Sequence, residues 1–390
     1  MHNHTTWLLA LSGFAALACC EGQGRRYSTW MLDSIKERKQ GVISSGAASV
    51  FFETGLLSIA IEATVKQYPE LKDQYAPYLA DVLDVGTASL TNSTYTATRP
   101  LDRFSIANAV SKISEAGLAS VSATVSAASG AINESLALQM RNPEGGMWYY
   151  VYPQWSYADG MFSVLPFMAS QPQPNYTDIS LQMTLIYEHC LQKNSSLTVH
   201  GYDYSRTAVW ADKDTGASPY VWSRAVGWFI GGLVQTWESL DCAAGKSEAQ
   251  SVCRQVQQIA TQLATSLVRY ADPETGVWWQ LTTFPGRSGN YLESSSTALF
   301  MFSMLKGERL GLFAGSGVDF KKAVLKAYDY TVRNFVVDTG NGTVGYDKTV
   351  VVCSLNSTAS YEYYTQQPIL PNSLLGESAF ILASLEVERC

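Results

Sequence analysis

The segment Asp212–Trp222, DKDTGASPYVW, returns in altered form three more times along the chain. NPEGGMW begins at Asn142, DPETGVWW at Asp272 and DTGNGTVGY at Asp338. Each copy has an Asp or Asn, a Gly-containing turn and then an aromatic residue, and successive copies lie 60 to 70 residues apart. The stretches between them place apolar residues at helical spacing, as in Ser247–Ala271, Glu293–Phe313 and Asp319–Val336. Regular β-alternation is scarce. A period near 60 residues fits two helices and two loops, so the chain holds about six such units. Six helical hairpins closing into a ring make an all-α (α/α)6 toroid, with the aromatic loops gathered at one end as a cleft. An irregular all-α domain is the alternative.

The remaining composition narrows the functional class. Of the 390 residues 46 % are hydrophobic and 12 % aromatic, enough for a substantial core and an aromatic-lined cleft. A formal net charge of −7 and the absence of any Lys/Arg run argue against a nucleic-acid partner. Trp7–Ala18 is a largely apolar run too short to span a bilayer, and Ala16-Leu17-Ala18 supplies small residues for cleavage. Residues 1–20 therefore read as a signal peptide and 21–390 as one domain of a secreted protein, with no membrane span and a monomer as the expected state. Six Asn-x-Ser/Thr sequons, at Asn92, Asn133, Asn175, Asn194, Asn341 and Asn356, fit a glycosylated extracellular chain. Beyond Cys19 and Cys20 there are five cysteines, and Cys242–Cys253 closes a short polar loop. Cys353–Cys390 is the second expected disulfide, leaving Cys190 free. No cysteine or histidine spacing resembles a metal site, and no metal or organic cofactor is expected.

Two segments carry candidate chemistry. His200–Trp228 packs His200, Asp203, Arg206, Trp210, Trp222, Arg224 and Trp228 into a loop followed by a helix. Ser218 as N-cap and Pro219 at the first helical position predict where that helix starts. Arg224 and Trp228 stand four apart and share a face. A guanidinium beside an indole suits a planar carboxylate on a sugar ring, since Arg offers a bidentate fork and Trp an apolar platform. In a chain of negative net charge such a ligand needs a local positive pocket, which Arg224 and Arg206 could supply. The second segment, Gly145–Phe162 or GGMWYYVYPQWSYADGMF, holds Asp159 as its only acidic residue. Desolvation by the surrounding aromatics would raise the pKa of Asp159 and keep a proton available near neutral pH. Asp159 could instead cap the following helix.

At these residues the chain resembles glycoside hydrolase family 105, the unsaturated rhamnogalacturonyl hydrolases, and more distantly the unsaturated glucuronyl hydrolases. YPQWSYADG matches the family's aromatic run ending in Asp-Gly; His200 with WSRAVGW matches its His and Trp-x-Arg-Ala-x-Gly-Trp helix. YLESSSTALFMFSMLKG from Tyr291 is similar to its Glu-Ser-Ser helix, and RPLDRFSIANAV puts Asp102 where the family carries a second acid. Two places differ. Val50–Gly55 reads VFFETG where Trp-x-Tyr-Glu-x-Gly is common, and Trp148, Tyr149 and Tyr150 stand where many members have a His. The resemblance implies hydration of the C4–C5 double bond of an unsaturated uronic acid at the end of a lyase-generated pectic oligosaccharide. It implies Asp159 as general acid to C4, with His200 helping to orient water toward C5. Arg224 would hold the substrate carboxylate, Trp222 and Trp228 would pack on the sugar, and Asp102 would bond hydroxyls or orient Asp159. One acid can serve both steps, so paired glycosidase carboxylates are not required.

Other readings of the same residues stay open at this level. His200 could be a satisfied loop histidine, Asp102 a helix cap, and Glu293 a cap with no place in the site. An unsaturated glucuronyl hydrolase, an inverting glycosidase on the same toroid and a sugar-binding protein are the competing functions. A Gly-x-Ser-x-Gly elbow for a serine hydrolase is absent.

Overall fold

The structure, a computed structural model, describes residues 25–43 and 45–390; the expected signal peptide, with Cys19 and Cys20, lies outside them. Twelve long helices follow one another: α1 (Tyr27–Glu37), α2 (Val50–Gln67), α3 (Lys72–Thr87), α4 (Arg103–Glu115), α5 (Ala123–Ser135) and α6 (Met161–Ala169). Then come α7 (Tyr176–Cys190), α8 (Ser223–Ser239), α9 (Gln250–Tyr270), α10 (Ser294–Arg309), α11 (Phe320–Asn334) and α12 (Leu374–Val387). The even-numbered helices form an inner ring, each packed on the next, with α12 returning to α2. The odd-numbered helices form the outer layer: α3 backs α2, α5 backs α4, and so on around to α1, which backs α12. This is the (α/α)6 toroid. Among the described residues no helix is long and apolar enough to cross a membrane.

Sequence pattern sorts the helices between the layers. All nine residues of α6, MFSVLPFMA, are buried, as are thirteen of the fourteen in α12. A helix apolar on every side is stable only when surrounded. In contrast α9 buries Val252, Val256, Ile259, Leu263 and Leu267 along one stripe and turns polar residues outward. Close inner packing sets one glycine: a Cβ on Gly232 of α8 would run into the Met161 carbonyl at the start of α6.

The repeated loops are one repeated turn. Asn142, Asp212, Asp272 and Asp338 each lead from an outer helix to an inner one, and each Oδ1 accepts a backbone N–H from two residues on. The glycine that follows is left-handed in every copy, with φ 88° at Gly145, 77° at Gly216 and 83° at both Gly276 and Gly340. Outer-to-inner connections all lie at the N-terminal ends of the inner helices, which gathers the loops at one rim.

The ring is closed by the chain termini. Glu388 accepts hydrogen bonds from Ser28 N and Oγ at 3.0 and 2.6 Å, and Arg38 pairs with Glu377. Cys242–Cys253 forms between α8 and α9 with a Cα–Cα distance of 5.6 Å. The expected Cys353–Cys390 disulfide does not: both are free thiols, as is Cys190. Cys353 lies at the cleft end, 3.8 Å from Gln280 Nε2, whereas Cys390 follows the C-terminus of α12 and donates to the Glu386 carbonyl. A helix of that length separates its two ends by about 20 Å, far beyond what a disulfide spans.

The start of α8 also differs from expectation. Residues 218–222 are not helical: Pro219 and Tyr220 form a bend, Trp222 is bridged to Leu281 and Ser223 N donates to the Gln280 carbonyl, so α8 begins at Ser223 with Trp222 in the N-cap position. Ser218 spends its hydroxyl on Gly201 N instead. Pairing with a neighbouring segment overrode a local capping signal.

Candidate active site

Four inner helices begin with an ionisable residue at the cleft. Asp102 precedes α4, Asp159 lies two residues before α6, Arg224 is in the first turn of α8, and Glu293 caps α10. Five of the six residues expected at the site, Asp102, Asp159, Trp222, Arg224 and Trp228, line one pocket. The sixth, His200, is fully buried behind Asp159. A two-residue ladder brings those two together, because Tyr157 pairs with Gly201 and Ala158 N donates to the His200 carbonyl at 3.0 Å. His200 Nε2 then lies 3.3 Å from Asp159 Oδ2. Tyr157 meets the imidazole edge-on, with centroids 5.2 Å apart, and Trp222 lies tilted against it at 4.5 Å. Arg206 is exposed and outside the pocket lining, so it supplies no positive wall.

Asp159 is not a helix cap. It sits in the turn Ala158–Gly160 ahead of α6 and makes no capping hydrogen bond. Its Oδ2 and His200 Nε2 are both buried and neither makes a hydrogen bond among the described residues. Asp159 thus lines the pocket while its Oδ2 has only the His200 Nε2 edge beside it, 3.3 Å away.

Asp102 occupies an N-cap position without capping either. Its Oδ2 accepts from Tyr149 Oη at 2.5 Å, and Oδ1 has no partner among the described residues. Burial pushes its pKa up from 3.8 to about 7; the Asp159 charge adds to the rise, while the Tyr149 hydrogen bond and Arg103 oppose it. The desolvation expected for Asp159 thus makes Asp102 the carboxyl that titrates near neutrality. Tyr149 stands in the aromatic run before Asp159, and its hydroxyl is the partner the sequence did not reveal. The signal was there, a tyrosine pair in the run that leads to Asp159, but nothing local says which carboxylate it reaches.

Arg224 is held more firmly than a free ligand-binding arginine. Its guanidinium donates to the carbonyls of Val350 and Val351 at 2.6 and 2.7 Å and to Ser295 Oγ at 3.2 Å. It stacks over Trp222 at 4.9 Å, with Glu293 Oε1 3.8 Å away. Glu293 does cap α10, through Ser296 N at 2.7 Å, and also accepts from Val350 N at 3.1 Å. A residue expected only to cap therefore also neutralises the arginine and anchors the loop above it. Trp228 packs between Phe52 and Phe162, with centroids 4.3 and 5.0 Å away, and presents an apolar floor.

A buried acid near neutrality, a second carboxylate against a histidine, and an indole and an arginine on one wall together suit acid catalysis on a carbohydrate. The sequence pattern of Glycosyl Hydrolase Family 88 matches residues 38–390. The chain belongs to that family. A glycoside hydrolase from family 105 of C. acetobutylicum ATCC 824 is 25 % identical with a TM-score of 0.79, over 94 % of this chain and 100 % of the other. The unsaturated glucuronyl hydrolase of Bacillus sp. GL1, responsible for the degradation of glycosaminoglycan, shares the fold of this family 88 member. Its TM-score is 0.59 at 13 % identity, over 89 % of this chain and 87 % of the other. Protein Atu3128 of Agrobacterium fabrum (strain C58 / ATCC 33970) is 37 % identical over 131 residues, 34 % of this chain and 52 % of that protein. The chain spans about half the length of the curated relatives it matches.

Proposed function

We propose that this family 88 member removes a 4,5-unsaturated uronic acid from the non-reducing end of lyase-generated oligosaccharides, with a rhamnogalacturonan-derived disaccharide as preferred substrate. The observation that carries the reading is Asp159, whose side chain lines the pocket while its Oδ2 is buried 3.3 Å from His200 Nε2. Asp159 gives its proton to C4, C5 gains oxocarbenium character, and water adds at C5 after losing a proton to the Asp159 carboxylate. The hemiketal so formed opens and releases the aglycone sugar. Asp102, free on Oδ1, is placed to bond a ring hydroxyl. Trp228 supplies the apolar face and Arg224 the positive wall for the uronate.

Elimination flattens C4, the one centre at which galacturonic and glucuronic acids differ, so both yield the same ring. Discrimination therefore falls to the aglycone. Arg224 is the one cation among the described residues lining the pocket, and Glu293 lies 3.8 Å from it, in a chain of net charge −7. That balance favours a neutral deoxyhexose over a sulfated amino sugar, whose added negative charge it would repel.

The test is Asp159→Asn, which keeps shape and hydrogen-bonding reach but has no acidic proton. Turnover, followed as loss of the unsaturated chromophore, is expected to fall by about 10²–10⁴-fold while substrate still binds. Near-normal turnover on a verified unsaturated disaccharide would falsify the mechanism. Parent enzyme that prefers sulfated glycosaminoglycan disaccharides over the rhamnose-bearing one would overturn the substrate assignment alone.

A secreted, N-glycosylated protein is supported by the exposure of all six sequon asparagines, Asn92, Asn133, Asn175, Asn194, Asn341 and Asn356.

A further inference from the structure

The two nitrogens of His200 face different chemistry. Nδ1 lies 2.8 Å from Tyr364 Oη, and Nε2 lies 3.3 Å from Asp159 Oδ2. The rings of Tyr157 and Trp222 cover the rest of the imidazole, so Asp159, Tyr364 and Tyr157 are the titratable groups around it. Tyr364 is fully buried on the short helix Tyr361–Thr365, in the connection that leads to α12. Its hydroxyl makes no other hydrogen bond among the described residues.

Two arguments fix the proton on His200. Burial holds the Tyr364 phenol well above its usual range, so it remains an O–H. With His200 as its one neighbour, that O–H is satisfied only by donating, and donation needs a bare lone pair on Nδ1. The opposite face agrees. A bare Nε2 would set its lone pair against the lone pairs of the Asp159 carboxylate, whereas an Nε2–H faces an acceptor.

We infer that Tyr364 is a positioning residue that locks His200 in its Nε2–H tautomer, so that His200 turns an N–H, 3.3 Å away, toward Asp159 Oδ2 rather than a basic lone pair toward water. The consequence for turnover rests on the proposed role of Asp159; the tautomer does not. After Asp159 has released its proton to C4, the Nε2–H stabilises the carboxylate left behind. Water activation then belongs to that carboxylate alone. Tyr364 cannot be found from sequence, since it lies 164 residues from His200 in the chain.

The test uses protein labelled with ¹⁵N-histidine and lacking residues 1–24, in which His189 and His200 are the only histidines. Ring ¹H–¹⁵N correlation of the parent at neutral pH is expected to show His200 protonated on Nε2 and bare on Nδ1. Tyr364→Phe keeps the ring packing and removes the donor. The Nδ1-protonated form should then become populated, with kcat down about tenfold and KM nearly unchanged, the scale of one lost hydrogen bond. A parent His200 protonated on Nδ1, alone or on both nitrogens, overturns the inference, as does a Phe variant with an unaltered tautomer. An altered tautomer with unaltered kcat removes the catalytic consequence. A parent inactive on every unsaturated uronide but carrying the Nε2–H tautomer defeats the proposed function and leaves the lock standing.

Discussion

Replacing Asp102 by Asn should make the protein more stable and less active, by amounts that depend on pH. The Asp102 carboxyl is 3 % exposed and is pushed from 3.8 to about 7 chiefly by burial. Its ionised form is thus disfavoured in the fold by about 4 kcal/mol. Unfolded chains ionise near pH 4 and folded ones near 7, so between those values the folded state holds the extra proton. Stability then falls as pH rises through that window and is flat above it. Asn cannot ionise, keeps an oxygen for the Tyr149 hydroxyl, and escapes the penalty. For a chain of 390 residues the entropy of unfolding is about 0.8 kcal/mol per degree, so about 4 kcal/mol corresponds to about 5 °C in Tm. Thermal unfolding of parent and variant at one scan rate should coincide near pH 4 and separate by about 5 °C at pH 8, the variant unfolding later. Activity at pH 7 should drop in the same variant. A variant no more stable than the parent at pH 8, or a gap that is the same at both pH values, would show that Asp102 carries no desolvation cost.

Three further outcomes follow from named contacts. Arg224→Ala strands the fully buried Glu293 beside a lost partner, so it should cost about 3–5 kcal/mol of stability in addition to weakening substrate binding; denaturant titration and KM together check this. In a chain beginning after Cys20, a thiol reagent should modify one cysteine, Cys390, in the native state and three in denaturant, because Cys190 and Cys353 are buried and Cys242–Cys253 is bonded. Protein expressed through a eukaryotic secretory route should lose mass on enzymatic deglycosylation, and an unchanged mass would remove the case for occupied sequons.

What the sequence reveals divides by range. The toroid was legible because its signals are local and repeated: an Asx turn with a left-handed glycine, and helices whose stripe or all-round apolarity assigns them to outer or inner layer. The Cys242–Cys253 link was legible for the same reason, its loop being short. Cys353–Cys390, expected to tie down the C-terminus, failed because the length of α12 separates the two thiols. The Ser218–Pro219 start failed because Trp222 is bridged to Leu281, distant in sequence, which delays the helix to Ser223. Asp159, His200, Arg224 and the tryptophans were legible as motifs. Their partners were not: Tyr149 on Asp102, Tyr364 on His200 and Glu293 with Arg224 are contacts between segments distant in sequence, created only when the ring closes.

That closure also alters how an anionic substrate is held. Arg224 was expected to act as the counter-charge, yet Glu293 and two carbonyls already occupy it. Additional attraction comes from geometry: six inner helices open their N-terminal ends on the cleft rim, each worth about half a positive charge. Against that stands Asp102 above pH 7. A uronate bound beside Asp102 favours its neutral form, so substrate binding and proton retention on Asp102 are linked. KM for an unsaturated uronide should accordingly rise as pH passes about 7 in the parent, whereas the binding constant of Asp102→Asn should stay level over the same range. A parent KM that is flat to pH 8.5 would break this link and return the recognition of the carboxylate to Arg224 alone.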